Sequence, residues 1–233
     1  MSLDPADTSV CATAARNVAW SLSPGSSARI EMLMSTQPKT FLTPEQYLEI
    51  ERAAESRSEY YNGEMFAMAG TSFRHARIIR NVMFELTQKL RGGKCEAVSS
   101  EVRLRVSPKG LYTYPDVMVV CGGPQFVDKV LDTVTNPIVI VEILSPTTEA
   151  YDRGPKFESY RTLESLRDYI MIAQDRVHVE HYMRQADGTW ILQETSDREQ
   201  TIEIASIGCG FKLSDAYENV AFELPSTPGA CSS

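Results

Sequence analysis

The apolar positions of the chain recur at helical spacing in two stretches of its first half. Ser72 to Arg91 is predicted to be a helix that ends at Gly92-Gly93, where the pattern stops. Its apolar residues are Ile78, Ile79, Val82, Met83, Leu86 and Leu90. A shorter helix is predicted from Thr43 to about Ala54, because Thr43 is a good N-cap and Pro44 suits the first helical position.

Extended stretches follow and predict a sheet. Tyr114–Cys121 and Ile138–Leu144 are almost wholly apolar, which is typical of central strands covered on both faces. Cys95–Val106 alternates between apolar and polar residues and is predicted to be one strand. A helix is predicted from about Arg153 to Leu163, and Tyr169–Ala173 is predicted to be another short buried strand.

Turn residues predict two hairpins. Asn62-Gly63 lies between two β-prone stretches, and Ala186-Asp187-Gly188 separates Arg176–Arg184 from Thr189–Thr195. The remaining predicted elements are short strands at Ile202–Ile204 and Phe211–Leu213 and a turn of helix at Ser214–Tyr217.

A chain of 233 residues predicts one folded domain, which we place at residues 39–222. Residues 1–38 are rich in Ser, Ala, Thr and Pro and lack an h-region, so we expect a disordered or loosely packed arm without a secretory signal. Residues 223–233 are expected to be a flexible tail. The elements predict an α/β (α+β) fold with a mixed central sheet flanked by helices and additional β-hairpins. No apolar run is long enough to span a membrane.

Charge and cysteine usage narrow the functional classes. The net charge of −8 argues against tight nucleic-acid binding through bulk electrostatics. The segment Arg74–Lys109, however, carries nine Lys and Arg against three Glu, a local charge of +6. That segment could contact a phosphate backbone, or it could be an ordinary solvated face. Five cysteines without a CxxC pair suggest reduced thiols in a cytoplasmic protein.

Three charged residues stand in or beside apolar stretches. Asp116 opens one apolar run, Glu142 interrupts another, and Lys156 lies where the next helix is predicted to start. Two carboxylates on strands with an amine nearby are typical of a divalent-metal site for phosphodiester hydrolysis, in which oxygen ligands hold Mg²⁺ or Mn²⁺. Alternatives remain open: Asp116 could be a turn or cap residue, and Glu142 could form a salt bridge with Lys156 or Arg153.

The sequence around these residues resembles the Uma-type restriction endonuclease family of the PD-(D/E)XK nuclease superfamily, over about residues 40 to 218. The motifs that carry the resemblance are Tyr114-Pro115-Asp116-Val117, Val141-Glu142-Ile143-Leu144-Ser145-Pro146 and Asp152-Arg153-Gly154-Pro155-Lys156-Phe157, with Gly63-Glu64-Met65 and Arg74-His75 upstream. One departure is clear. The superfamily's usual Glu-X-Lys would place a lysine at position 144, which is Leu144, and the resemblance implies that Lys156 replaces it from the following helix.

The resemblance implies a restriction-endonuclease-like fold for residues 39–222. It also implies a Mg²⁺-dependent DNA endonuclease that leaves 5′-phosphate ends, with Mn²⁺ as an alternative metal. Asp116, Glu142 and the carbonyl of Ile143 would hold the metal. Lys156 would polarise the attacking water or offset charge on the phosphate, and Glu64 would add a carboxylate from the edge of the site. By analogy with the family, the protein would be a homodimer that acts on DNA.

Basic residues and histidines add weaker candidates. Arg74, Arg77 and Arg103 are predicted to contact DNA, and His75 could either touch phosphate or pack as a helix cap. His178, Glu180 and His181 resemble a metal-binding motif. Because side chains alternate along a strand, His178 and Glu180 should share one face and His181 the other, so surface or cross-strand pairing is expected instead.

Two rival hypotheses belong to other functional classes. A nuclease-fold DNA-binding or regulatory protein without catalysis is favoured by the acidic charge and the absent Glu-X-Lys. A structural domain in which Asp116, Glu142 and Lys156 form a buried ion network is the other alternative. The position of Lys156 discriminates between them, because the enzymatic interpretation requires its approach to the carboxylates.

Overall fold

The computed structural model describes residues 41–68, 70–107 and 110–222. The predicted arm and tail lie outside these described residues. The helices are α1 (Pro44–Ala53), α2 (Phe73–Leu90), α3 (Glu149–Tyr151), α4 (Phe157–Tyr160) and α5 (Leu213–Ala216), with a π-helical segment at Asp152–Lys156 and a 3₁₀ turn at Ala205–Ile207. The strands are β1 (Ser58–Tyr61), β2 (Glu64–Ala67), β3 (Cys95–Ser99), β4 (Arg103–Arg105), β5 (Leu111–Thr113), β6 (Val117–Cys121), β7 (Thr133–Val134), β8 (Pro137–Leu144), β9 (Asp168–Ala173), β10 (Val179–Arg184), β11 (Trp190–Thr195), β12 (Thr201–Ile204) and β13 (Cys209–Lys212).

A six-stranded mixed sheet forms the centre of the domain, with the strand order β11-β10-β9-β8-β6-β3. Only the β8–β9 pair in this sheet is parallel. Helix α2, the β12–β13 hairpin and α5 pack on one face through residues such as Val82 and Phe211. The other face is covered by α4 and the segment after it. Strand β8 is therefore covered on both faces, as its continuous apolar run predicts.

A second, five-stranded sheet with the order β2-β1-β5-β4-β7 lies against this other face. It contributes Leu104, Leu111 and Val134 to the core that also contains Met118 and Ile140 of the central sheet. The predicted hairpin at Asn62-Gly63 joins β1 to β2, and both turn residues have positive φ, as its tight turn requires. Because this sheet packs against the central sheet, one face of the β1–β2 hairpin, which includes Tyr61, lies against the shared core.

The stretch Cys95–Val106 does not form one strand, and that prediction is wrong. It divides into β3 and β4, which belong to different sheets. The chain turns at residues 99–102, where the N–H of Val102 donates to the carbonyl of Ser99. Alternation on both sides of the turn makes the two short strands look like one long strand in the sequence.

The cysteine prediction also requires correction. Cys95 and Cys121 are directly opposed on β3 and β6 and form a disulfide bond. Their separation of 26 residues along the chain hides this pairing from a search for short spacings. Among the described residues, Cys209 is a free thiol.

None of the described helices is long and apolar enough to cross a membrane.

Candidate active site

The antiparallel register of β6 and β8 sets Asp116 against Glu142. Val117 pairs with Val141 and Met118 with Ile140, so Asp116, one residue before β6, faces Glu142. Directly opposed side chains on one face lie about 5 Å apart at Cβ. Asp116 is also fixed to β8, because its Oδ2 accepts a 2.7 Å hydrogen bond from the backbone N–H of Ile143. The two predicted metal-ligand carboxylates therefore lie side by side.

Lys156 reaches Glu142 from the π-helical segment. Its Nζ lies 2.9 Å from Glu142 Oε1 and 3.5 Å from Asp152 Oδ1, which belongs to the same segment. π-Helical turns are rare and recur at functional sites. The structure thus brings the displaced lysine to Glu142, as the sequence resemblance implies, although neither α3 nor the π-helical turn was predicted.

Burial and neighbouring charges together determine the protonation states of Glu142 and Lys156. The pKa of Glu142 is raised to about 8, chiefly because burial removes its hydration. Lys156 opposes this shift, and the neighbouring charges of Asp116 and Asp152 add to it. Burial alone would lower the pKa of Lys156, but the surrounding carboxylates, Glu142 first, hold it well above its usual range. Lys156 therefore stays protonated and acts as a cation. Tyr160 adds a 2.7 Å hydrogen bond from its hydroxyl to Glu142 Oε1.

His75 connects the start of α2 to the site. Its backbone N–H donates to the side chain of the N-cap residue Ser72, and its Nε2 lies 3.0 Å from Asp116 Oδ1. Neither alternative suggested by the sequence, a phosphate contact or a cap, describes this ring contact. The ring of His75 contacts Oδ1 of Asp116 while the N–H of Ile143 binds Oδ2, so the two groups fix the carboxylate together. A phosphate contact by His75 stays a prediction.

Glu59 is a hairpin carboxylate that the structure places near the lysine. Glu59 Oε1 lies 3.5 Å from Lys156 Nζ and accepts a hydrogen bond from Thr113 on β5. Glu64 pairs with Tyr61, and Glu59 pairs with Phe66, so both glutamates lie on the same face of the hairpin. Glu64 is nearer the turn, and its role as a carboxylate at the edge of the site stays a prediction.

The basic residues separate into two groups. Arg103 is buried, with 5% of its surface exposed, and it donates to Tyr114 and Thr133, so the prediction that it contacts DNA is wrong. Arg74 and Arg77 lie in the first turns of α2, beside His75. Arg77 also donates to the carbonyl of Asn219 and stacks on Phe73. DNA contact by Arg74 and Arg77 stays a prediction.

The second histidine motif divides as its alternation predicts. His181 is buried and its Nε2 lies 2.7 Å from Asp168 Oδ1. His178 and Glu180 lie on the other face of β10, beside Glu194 of β11. His181 is therefore excluded from any ligand set that contains His178 and Glu180.

The donor atoms of the candidate site fit a hard divalent cation. Four carboxylates, those of Glu59, Asp116, Glu142 and Asp152, surround one lysine and one histidine. When these acids are ionised, the cluster has an excess of negative charge in a largely buried space, which is costly without a further cation. Oxygen ligands of this kind suit Mg²⁺ or Mn²⁺.

Comparisons with known proteins agree on family and fold. The family model Uma2, described as "Putative restriction endonuclease", matches residues 44–216. Two uncharacterized proteins of Synechocystis sp. are similar to the chain. One is 36% identical over 183 residues, covering 78% of this chain and 94% of the relative. The other is 35% identical over 173 residues, covering 74% and 98%.

A solved structure shares the architecture. It is the crystal structure of a putative nuclease belonging to DUF820 from Anabaena variabilis, with a TM-score of 0.63 and 16% sequence identity. The match covers 76% of this chain and 97% of the other. The predicted fold, a mixed central sheet flanked by helices, is confirmed by this likeness and by the observed strand order.

Proposed function

The chain belongs to the Uma2 family of restriction-endonuclease-like proteins, and from this premise we propose that it is a Mg²⁺-dependent DNA endonuclease. The observation that carries the proposal is the alignment of Asp116 with Glu142 across β6 and β8, with Lys156 Nζ 2.9 Å from Glu142. Two opposed carboxylates and a cation make a site for one metal ion and one phosphate. Mn²⁺ would support the same chemistry, since its ligand preference is similar.

Asp116, Glu142 and the carbonyl of Ile143 would hold the metal in this proposal. When bound, Mg²⁺ supplies neutralising charge to the scissile phosphate and lowers the cost of attack by water. The protein's own contribution is to fix the ligands. The N–H of Ile143 and the ring of His75 hold the two oxygens of Asp116, and Tyr160 holds one oxygen of Glu142.

Lys156 would act as an electrostatic group rather than as a base. Its raised pKa keeps the ammonium protonated at neutral pH, so it has no lone pair with which to accept a proton. A protonated amine beside the metal ligands can donate to a phosphate oxygen and offset the negative charge that develops there. Of the two roles that the resemblance implies for Lys156, charge stabilisation is therefore the one we propose.

DNA would approach along the start of α2, where Arg74 and Arg77 lie beside His75. The overall charge of −8 makes this local basic surface the place where a phosphate backbone is best tolerated.

Cleavage of both strands would require two copies of the single site, so we also propose a homodimer. Light scattering coupled to size-exclusion chromatography would reveal a 26.0 kDa monomer if this part of the proposal is wrong.

Cleavage of supercoiled plasmid with Mg²⁺ or Mn²⁺ tests the enzymatic proposal. Wild-type protein is compared with Glu142→Gln and Lys156→Met, and with Glu96→Gln, an exposed carboxylate on β3, as a matched control. We expect nicking by wild type and Glu96→Gln and at least about 100-fold slower nicking by the two site variants. Equal activity in all four proteins would point to a contaminating nuclease and contradict the proposal.

A structural role is the second candidate, because Lys156 pairs directly with buried Glu142. A purely structural ion network predicts that Glu142→Gln strongly destabilises the fold and that wild type cleaves nothing. The enzymatic proposal predicts cleavage that Glu142→Gln loses while it remains folded. Urea denaturation of the same preparations distinguishes the two outcomes.

A further inference from the structure

Three potential metal ligands lie together on the outer strands of the central sheet. They are His178, just before β10, Glu180 on β10 and Glu194 on β11. One ligand atom from each lies within 4.8 Å of the other two. Glu180 is buried, His178 is half-buried and Glu194 is exposed, so the cluster opens to solvent on one side.

The strand register places this cluster apart from the candidate active site. Glu142 pairs with Met171, Met171 with Glu180, and Glu180 with Glu194, so the four residues form one row across β8, β9, β10 and β11. Neighbouring strands are about 4.8 Å apart, which puts Glu180 about 10 Å from Glu142. The two clusters thus share a face of the sheet but cannot share one ion.

Two carboxylates face each other in this cluster, with one imidazole between them. Glu180 and Glu194 are directly opposed across an antiparallel pair, where like charges destabilise a sheet. His178 Nε2 lies 3.6 Å from Glu180 Oε1 and 3.6 Å from Glu194 Oε1. These distances are too long for hydrogen bonds. They are close to the separation of about 3.4 Å between ligands of a tetrahedral Zn²⁺ with bonds of about 2.1 Å.

Neighbouring groups hold two of the three ligands in place. His178 Nδ1 lies 3.2 Å from the hydroxyl of Ser196, which leaves Nε2 directed at the carboxylates. Arg153 donates to Glu180 Oε1 through Nε at 2.9 Å and Nη2 at 2.7 Å, and through Nη1 to Glu149. Partners of this kind on a ligating histidine and carboxylate are typical of protein metal sites.

We propose that His178, Glu180 and Glu194 bind one divalent ion of the Zn²⁺ or Mn²⁺ class. One imidazole nitrogen and two carboxylate oxygens suit such ions better than Mg²⁺, which prefers oxygen alone. The ion would also fix the position of Glu180, which accepts hydrogen bonds from Arg153. Arg153 lies in the π-helical segment, three residues before Lys156. The site does not depend on the proposed nuclease activity.

Calorimetric titration of chelator-treated, full-length protein with Zn²⁺, and separately with Mn²⁺, tests this site. The series comprises wild type, His178→Ala and Glu194→Gln, with Asp116→Ala to remove a ligand of the candidate active site and Glu96→Gln as an exposed control. We expect Zn²⁺ binding to wild type that is weakened at least about 10-fold by His178→Ala and by Glu194→Gln. Asp116→Ala and Glu96→Gln should retain it.

Unchanged Zn²⁺ affinity in His178→Ala and Glu194→Gln, or no binding to wild type, would overturn the proposal. Glu194 is exposed on an edge strand, so its substitution by glutamine preserves the fold even if His178→Ala does not. A protein that binds Zn²⁺ at this site but does not cleave DNA would support this inference and contradict only the nuclease proposal.

Discussion

Glu142 is a carboxylate in the middle of a buried sheet, and its neighbours determine what it can do. Lys156 and Tyr160 both contact Oε1, and Asp116 faces it from the next strand. A buried acid with a pKa of about 8 binds a proton readily in the absence of a stronger cation. These contacts explain why a glutamate is tolerated within an otherwise apolar strand.

Replacement of Tyr160 by phenylalanine tests whether orientation of Glu142 matters. The variant loses one 2.7 Å hydrogen bond and keeps the ring. We expect a plasmid-cleavage rate lower by about 10-fold, because a hydrogen bond to a charged group contributes about 1.5–3 kcal/mol. An unchanged rate, measured with urea denaturation to verify folding, would show that this contact does not position Glu142 for the reaction.

Glu59→Gln and Glu64→Gln separate the two hairpin carboxylates. Glu59 contacts Lys156 and is held by Thr113, so its loss should weaken both the charge and the position of the lysine. We expect the cleavage rate to fall by about 10-fold or more in Glu59→Gln and less in Glu64→Gln. The reverse order would support the role that family resemblance implies for Glu64.

Part of the candidate site is predictable from the sequence, since charged residues in apolar runs are conspicuous. Asp116, Glu142 and Lys156 stand out for that reason. Glu59 does not, because the residues of a short hairpin give no sign of which face will meet the central sheet. Asp152 stands four residues before Lys156, but its approach depends on a π-helical turn that helical periodicity does not reveal.

Among the elements, α2 links the candidate site to the C-terminal part of the domain. Its first turn holds His75 on Asp116, and its buried face packs against β13 and α5. Asn81, buried on the same helix, donates through Nδ2 to the carbonyls of Ala216 and Glu218. The helix itself was predicted within a residue of each end, because its apolar spacing and its N-cap are local features.

Asn81→Ala is predicted to loosen this connection. Removing the amide leaves two carbonyls with one fewer donor, so we expect the free energy of unfolding to fall by about 2–3 kcal/mol. Urea denaturation measures the loss of stability. The control must be an exposed residue with an ordinary backbone conformation, which excludes Asn62 because it has positive φ in the hairpin turn. Gln193→Ala, on exposed β11, is the matched control and should change stability by less than about 0.5 kcal/mol. Similar values for both variants would contradict the bridging role.

The prediction failed where the path of the chain depends on distant contacts. The turn between β3 and β4 is stabilised by Arg57, which donates to the carbonyl of Ser100 from 43 residues away in the sequence. Strands β5 and β7 were also not predicted, because strands of three and two residues are too short to show a period. Local pattern alone therefore identifies the central strands and the β1–β2 hairpin, but not the rest of the small sheet.

At the scale of the whole molecule, a disulfide bond and a group of ion pairs connect distant segments of the described chain. The Cys95–Cys121 disulfide closes a 26-residue separation, and Arg52 of α1 binds both Asp128 and Asp132 before β7. Both features pair residues that are far apart in the sequence, so no local pattern predicts either of them.

Reduction of the disulfide is predicted to destabilise the fold. Opening a loop of this length lowers the free energy of unfolding by about 3.5 kcal/mol in the chain-entropy account. Urea denaturation with and without dithiothreitol measures the change, and Cys121→Ala should not respond to the reductant. Identical curves for wild type in both conditions would instead support the reduced thiols expected from the sequence.

Stability should also fall in acid through Asp132. The hydrogen bonds from Arg52 lower the pKa of Asp132 to about 2, so the folded state favours its ionised form. This contribution is fully present above the ordinary pKa of 3.8 and is lost as the pH falls through about 2. Because the pair is partly exposed, we expect about 1 kcal/mol after screening. Urea denaturation gives the difference in unfolding free energy between wild type and Asp132→Asn. This difference should narrow between pH 5 and 2.5, and a constant difference would contradict this assignment.

The most direct test of the central claim is the initial rate of plasmid nicking as a function of Mg²⁺ concentration, for wild type and Asp116→Asn. A metal held between Asp116 and Glu142 predicts a rate that is zero in chelator, rises to saturation in wild type and is at least about 100-fold lower in Asp116→Asn. Nicking that persists in chelator, or equal rates for the two proteins, would contradict it.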